Sequence, residues 1–355
     1  MSKLKAPAGS LRNLDKNRIF SIGNPVLSVL LAFLLAGLLV AVSGGDPISA
    51  YGAIIKGAFG SKSAIESTIR YALPLLLLGI AFTLSNKSGY FNIGQEAQMY
   101  TSALTIVTVQ VLLGDKVSAP VLLILMILCG MIAGALISFI PAYLKVKIGA
   151  NEIVLCILLN SIVLSLSDFL LQNTALGQPG ANTSMSVYFI PTIPKSVLLI
   201  ASIVLVAAYA FIVKKMVPGY RLRMVGDNPT FAKYCGLNNK RIVFGAALLS
   251  GVLASLTSTG ELLGVYKSFY HNYADGMGFT AMTAALIGNQ SVGGTIFGAL
   301  LLGALQSGSI GLSASKGASP EIVILVRGFV MLLGTINILQ LFVGKRRNKK
   351  TGGAK

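Results

Sequence analysis

Asn92, Gln95 and Glu96 stand at i, i+3 and i+4, the spacing that brings three side chains onto one face of a helix. Gln98 follows two residues on. Asn151, Glu152 and Asn160 begin and interrupt a second apolar run, and Asn289 and Gln290 break a third. Neutral amides with two carboxylates suit the hydrogen bonding of a polar solute where water is scarce, so these nine residues are the expected lining if the chain carries such a solute. A carboxylate on an apolar helix is costly to bury unpaired, which makes Glu96 and Glu152 the sharpest candidates. The structural alternative is that each sits in the first turn of its helix, where negative charge suits the positive dipole end. Glu96 could also pair with a cation such as Arg70.

Other chemistry finds little support. GAFGSKS at 57–63 places Ser61 where a phosphate-binding loop needs Gly before its Lys, so the chain is not expected to hydrolyse ATP. GxSxG, HExxH and paired-carboxylate patterns are missing, which argues against an intramembrane enzyme. His271, the single histidine, and Asp275 read as loop residues, and Asp168 in SLSDFL is the one inner carboxylate that ion coupling could use. Cys129, Cys156 and Cys235 have no paired spacing for a disulfide framework or a metal.

A second kind of site is predicted in RMVGDNPTFAKYCGLNNKR, residues 223 to 241, polar and basic between two strongly apolar segments. Asn228 suits an N-cap, Pro229 the first helical position and Gly236 a left-handed stop, so about two helical turns are expected from Pro229 to Cys235. Phe231, Tyr234 and Cys235 would share one face. So short a helix is unstable alone and must rest on something. It is either an interfacial loop with basic residues on lipid headgroups, or a helix that enters a groove on a cytoplasmic partner.

The elements that must position these residues are membrane helices. The 355 residues are 54% hydrophobic and only 11% charged, against roughly 25% charged in soluble domains. The expected fold is therefore an all-α polytopic integral membrane protein. Ten segments are predicted, at 25–43, 69–84, 92–113, 119–143, 152–171, 195–214, 242–262, 279–290, 294–311 and 321–343, with GNQSVGG forming a tight polar turn. The first is expected to be retained, because its apolar run and basic leader are both long for a cleaved signal peptide. Formal charge is +18, yet 21 of the 29 Lys and Arg fall on one side of this topology, with both termini cytoplasmic, and 8 on the other. That asymmetry favours membrane topology over nucleic-acid binding.

This divides the chain into a cytoplasmic tail at 1–24, a transmembrane body at 25–344 with a cytoplasmic loop at 215–241, and a basic tail at 345–355. The linker at 171–195 faces outward, as either a partner's docking surface or an ordinary loop. The GxxxG pairs Gly130/Gly134 and Gly294/Gly298 read as close helix packing.

Four stretches resemble one family, in that family's order. VGDNPTFAKYCGL is similar to the cytoplasmic coupling loop of permease subunits in ABC importers of the ribose, branched-chain amino acid and nucleoside group. GYFNIGQEAQM, residues 89–99, resembles its Phe-Asn-Ile-Gly-x-Glu-Gly-Gln motif, with Ala97 at the second Gly. NEIVLCILLN, residues 151–160, resembles a run of the nucleoside branch, and residues 250–266 with 284–305 resemble the C-terminal half. The resemblance implies a permease for nucleosides in a bacterial plasma membrane, with ATP and Mg held by a separate cytoplasmic ATPase. It implies that Gly226, Asp227, Asn228, Pro229, Phe231, Tyr234 and Gly236 couple to that ATPase. A second, related permease in a heterodimer and an extracellular substrate-binding lipoprotein complete the expected assembly. Alternatives are a permease for ribose or another simple sugar and, from a different class, an ion-coupled secondary transporter.

Overall fold

Asp46, Asn151, Asn228 and Asn238 each start a helix by accepting amide protons from the turn that follows, so short polar side chains punctuate a largely apolar chain. In the computed structural model, residues 27, 29–38, 41–42, 46–178, 185–187, 189, 191–314 and 321–334 are described. The expected tails at 1–24 and 345–355, and hence the sides on which the termini lie, fall outside them.

The helices are α1 (Val29–Leu38), α2 (Pro47–Phe59), α3 (Lys62–Asn86), α4 (Gln95–Leu113), α5 (Ala119–Ile148), α6 (Glu152–Asn173) and α7 (Lys195–Lys215). They continue as α8 (Val217–Asp227), α9 (Pro229–Tyr234), α10 (Asn239–Gly260), α11 (Met277–Ile287), α12 (Val292–Ala314) and α13 (Glu321–Gly334). A π-helical turn, Glu261–Tyr266, extends α10 and ends at Lys267 in a left-handed conformation.

Among the described residues six helices are long and apolar enough to cross a membrane: α3, α5, α6, α7, α10 with its π turn, and α12. The expected count of ten is not reached on this measure. The crossing expected at 279–290 is only the 11-residue α11, about 16 Å long and too short to span. The crossing expected at 92–113 begins three residues later, at Gln95.

The chain forms two compact units, residues 72–285 and residues 1–71 with 286–355. In the second, α12 lies along α2: a Cβ at Gly308 would press into Ile54, and the Ser307 hydroxyl donates to the carbonyls of Gly57 and Ala64. Arg327 of α13 donates to Gln306 of α12 at 2.7 Å.

In the larger unit α4 is the central helix, with α5, α6 and α10 around it. Small residues permit this. A Cβ at Gly251 of α10 would overlap the Gly134 carbonyl of α5, and one at Gly130 would press on Ser102 of α4. Gly130 and Gly134 thus pack internally, as their spacing suggested. The described part of the 171–195 linker is tied to the π turn and the chain beyond it: Ser186, Phe189 and Ile193 donate backbone amides to the carbonyls of Phe269, Lys267 and Leu263.

Candidate functional site

Helix α4 starts deep in the bundle. Gln95 donates through Nε2 to the Leu78 carbonyl at 2.7 Å, and Leu78 lies about 12 Å back along α3 from its last residue. Asn92 donates through Nδ2 to Ser250 at 2.8 Å, about 16 Å into α10. These ends of α3 and α10 are the ones that meet α8 and α9, so Gln95 and Glu96 lie inward of them by a distance comparable to half of a roughly 30 Å hydrocarbon layer. Residues 90–94 reach that depth without helix, a broken element of the kind membrane transporters use around solute sites.

A helix starting inside apolar surroundings leaves amides that water cannot serve, and here distant side chains serve them. Asn160 of α6 accepts from the Ala97 amide at 2.9 Å and donates to the Ile93 carbonyl at 3.1 Å. The Asn92 side-chain Oδ1 accepts from the Gly94 amide at 3.0 Å and from Gln98 Nε2 at 3.1 Å. Glu96 accepts from the Gly278 amide at 3.2 Å, in the first turn of α11, so its carboxylate stands at two helix N-termini, that of α4 and that of α11. Gly278 permits the approach, since a Cβ there would sit 3.3 Å from the Glu96 side chain and 3.5 Å from that of Gln95. Arg70, the suggested cation, lies over the Tyr71 ring. Gln95 Oε1 and Gln98 Oε1 are buried with no hydrogen-bond partner. Buried acceptors of this kind ask for a donor.

Asn151 is exposed and caps α6 through the amides of Ile153 and Val154. Glu152 pairs with Lys145, which also donates to the Gly89 carbonyl. Asn289 is exposed and Gln290 partly exposed, both left-handed in the turn between α11 and α12, where Gly288 and Gly294 touch. Asp168 is held by His271 at 2.5 Å. Glu261 is a further carboxylate, buried in the π turn, whose signal in the sequence is its place in a leucine-rich run.

The polar stretch at 223–241 forms the expected helix, Pro229–Tyr234, with Asn228 accepting from the Phe231 amide at 2.9 Å and Gly236 left-handed at φ +80°. Ala232 is fully buried in a cluster with Tyr90, Ala142, Val225, Val243 and Ala247. Tyr234 is 86% exposed and Phe231 55%, so the aromatic face points out. Helix α8 was not foreseen; Pro218 near its start was the only local cue. Its Gly226 packs on the Lys87 carbonyl, where a Cβ would overlap. Burial holds the Lys87 ammonium below its usual pKa, with Arg223 and Lys214 adding repulsion and Asp227 partly offsetting it.

The family described as branched-chain amino acid transport system / permease component matches residues 64–334. The chain is 28% identical to the guanosine ABC transporter permease protein NupP of Bacillus subtilis, over 92% of this chain and 96% of that protein. It is 28% identical to the nucleoside ABC transporter permease protein NupB of Lactococcus lactis, over 93% and 95% respectively. A glucose ABC transporter permease protein of Haloferax volcanii, TsgB13, is 31% identical over 87% and 86%. No solved structure matches the chain significantly.

Proposed function

The chain belongs to the branched-chain amino acid transport system / permease component family, and from that premise we propose that it forms the translocation path of an importer for nucleosides. Membership makes it a plasma-membrane transport component rather than an enzyme, working with an ATPase and a substrate-binding protein. In the proposed assembly the ATPase holds ATP and Mg, the binding protein is a lipoprotein, and a second, unlike permease faces this chain across the path. Residues 25–344 form the membrane body and 215–241 the coupling loop.

The observation that carries the substrate reading is the broken start of α4. Gln95 Oε1 and Gln98 Oε1, buried and without donors, are set to receive the hydroxyls or amides of a polar solute, with the Glu96 carboxylate beside them. A nucleoside is favoured by the guanosine and nucleoside permeases among the relatives. A simple sugar is the second reading, favoured by the glucose permease at 31% identity, since sugar hydroxyls satisfy the same acceptors.

The coupling reading rests on α9. Its exposed Phe231 and Tyr234 would enter a groove on the ATPase, while buried Ala232 ties the helix to Tyr90 and α10. Residues 87–94 then join the two sites. At one end Gly226 sits on Lys87 and Ala232 clusters with Tyr90; at the other Asn92 and Gly94 set the start of α4 beside Glu96. A push on α9 is thus delivered along eight residues to the solute site.

The assembly is tested by pull-down of the tagged chain from its native membrane in mild detergent, with mass spectrometry. Recovery of an ATPase and a second permease is expected; recovery of this chain alone would refute it. Glu96→Gln should lower uptake about tenfold, on the scale of one lost charge-assisted contact, with membrane insertion unchanged. Loss of folded protein without a selective transport defect would reduce Glu96 to a packing residue.

A further inference from the structure

Helix α8 leaves α7 by a sharp break at Met216, and glycine lets it fold straight back: a Cβ at Gly219 would overlap the Ile212 carbonyl and Val213. Arg223 completes the corner by donating to the Val213 carbonyl, one of the last acceptors of α7. The first two turns of α8 therefore lie level with the final turn of a membrane helix, at the polar boundary of the bilayer. One side of α8, with Gly219, Leu222 and Val225, is buried against the protein.

The opposite side has no partner among the described residues and is two-fold in character. Met216, Val217 and Tyr220 are exposed, and they continue the exposed apolar strip of α7 that runs through Ile203, Val204 and Phe211. Lys214, Lys215 and Arg221 are exposed beside them, with no acidic residue between Lys214 and Met224. An apolar strip continuous with a lipid-facing helix and flanked by cations at the headgroup level fits an amphipathic element lying in the interface. A groove on a soluble protein would not need to continue the apolar side of α7.

We propose that this face of α8 binds anionic phospholipid headgroups, with Lys214, Lys215 and Arg221 on the phosphates and Met216, Val217 and Tyr220 in the acyl boundary. Only Asn228 separates α8 from α9, and Gly226 is seated on Lys87, so lipid contact fixes the ground against which α9 moves. The lipid contact itself rests on geometry alone and stands whether or not α9 couples to an ATPase.

The chain contains no tryptophan, so Tyr220→Trp supplies a single fluorescent reporter and Ile203→Trp a control on α7. Both are placed in the full chain, in nanodiscs mixing phosphatidylcholine and phosphatidylglycerol with one of the two brominated. The α8 reporter should be quenched several-fold more by brominated phosphatidylglycerol than by equal brominated phosphatidylcholine, since each cation near an anionic leaflet favours contact roughly fivefold. That preference should vanish in Lys214→Gln/Lys215→Gln/Arg221→Gln, while the α7 reporter is quenched by both lipids in either background, which verifies insertion of the variant. Equal quenching of the α8 reporter by the two lipids would overturn the headgroup site. No quenching there, with the α7 reporter still quenched, would place α8 off the bilayer, and a shift of its emission on adding the ATPase would assign the face to protein docking.

Discussion

Helix α9 and the start of α4 are both polar breaks in an apolar chain, and they are built in opposite ways. In α9 the supporting hydrogen bonds are local: Asn228 caps it, Asn239 donates to the Pro229 carbonyl, and Gly236 turns the chain out, with only Ala232 packed against distant Tyr90 and Ala142. Its aromatics Phe231 and Tyr234 are exposed, and Ala232 is the side chain it buries. At α4 the polar groups are buried and the supports come from far away in sequence, from Leu78, Asn160, Ser250 and Gly278. One element presents its aromatic side chains outward, and the other keeps its polar groups inside.

The widest separation between the two should come from Tyr234→Asp. With 86% of the residue exposed, stability should change by no more than about 0.5 kcal/mol, yet ATP-dependent uptake should fall to background. Uptake at wild-type rate would remove α9 from the coupling. At α4 the order reverses. Asn160→Leu strips the Ala97 amide and the Ile93 carbonyl of their partner, and thermal unfolding in detergent should show a loss of about 3 kcal/mol. A loss below 1 kcal/mol would mean that water reaches those groups.

Between the two regions, Gly226→Ala drives a methyl into the Lys87 carbonyl and should cost about 2 kcal/mol, with uptake reduced more than that loss explains. Equal proportional losses would break the link along residues 87–94. The smallest effect is expected for Asn151→Ala, which removes an exposed cap of α6 for about 1 kcal/mol and should leave the solute preference untouched. A changed preference would return Asn151 to the solute path.

The same contrast explains what could be read in advance. Asn228, Pro229 and Gly236 lie within nine residues, so their turn chemistry announced α9 correctly. Helix α8 escaped because its seat depends on Gly226 meeting Lys87 across the fold, and the corner where Gly219 meets the end of α7 has no cap or turn signature of its own. Composition announced a helical membrane protein, but not the depth of α4. An apolar run looks the same whether it starts at the surface or half-way in, and only the partners of Gln95 and Asn92 distinguish the two. Glu96 was picked out by its chemistry, while its partner, a backbone amide of a residue 182 positions later, carried no side-chain signal. Glycine at that position was the trace it left.

The most direct test of the account is uptake of radiolabelled nucleoside by proteoliposomes that hold the complete complex, with ATP inside, the binding protein outside and unlabelled nucleoside or glucose as competitor. The account expects uptake that requires ATP, survives an ionophore, is blocked by excess nucleoside and is untouched by glucose. Uptake that needs no ATP and collapses with the ion gradient, or that glucose alone suppresses, would contradict it.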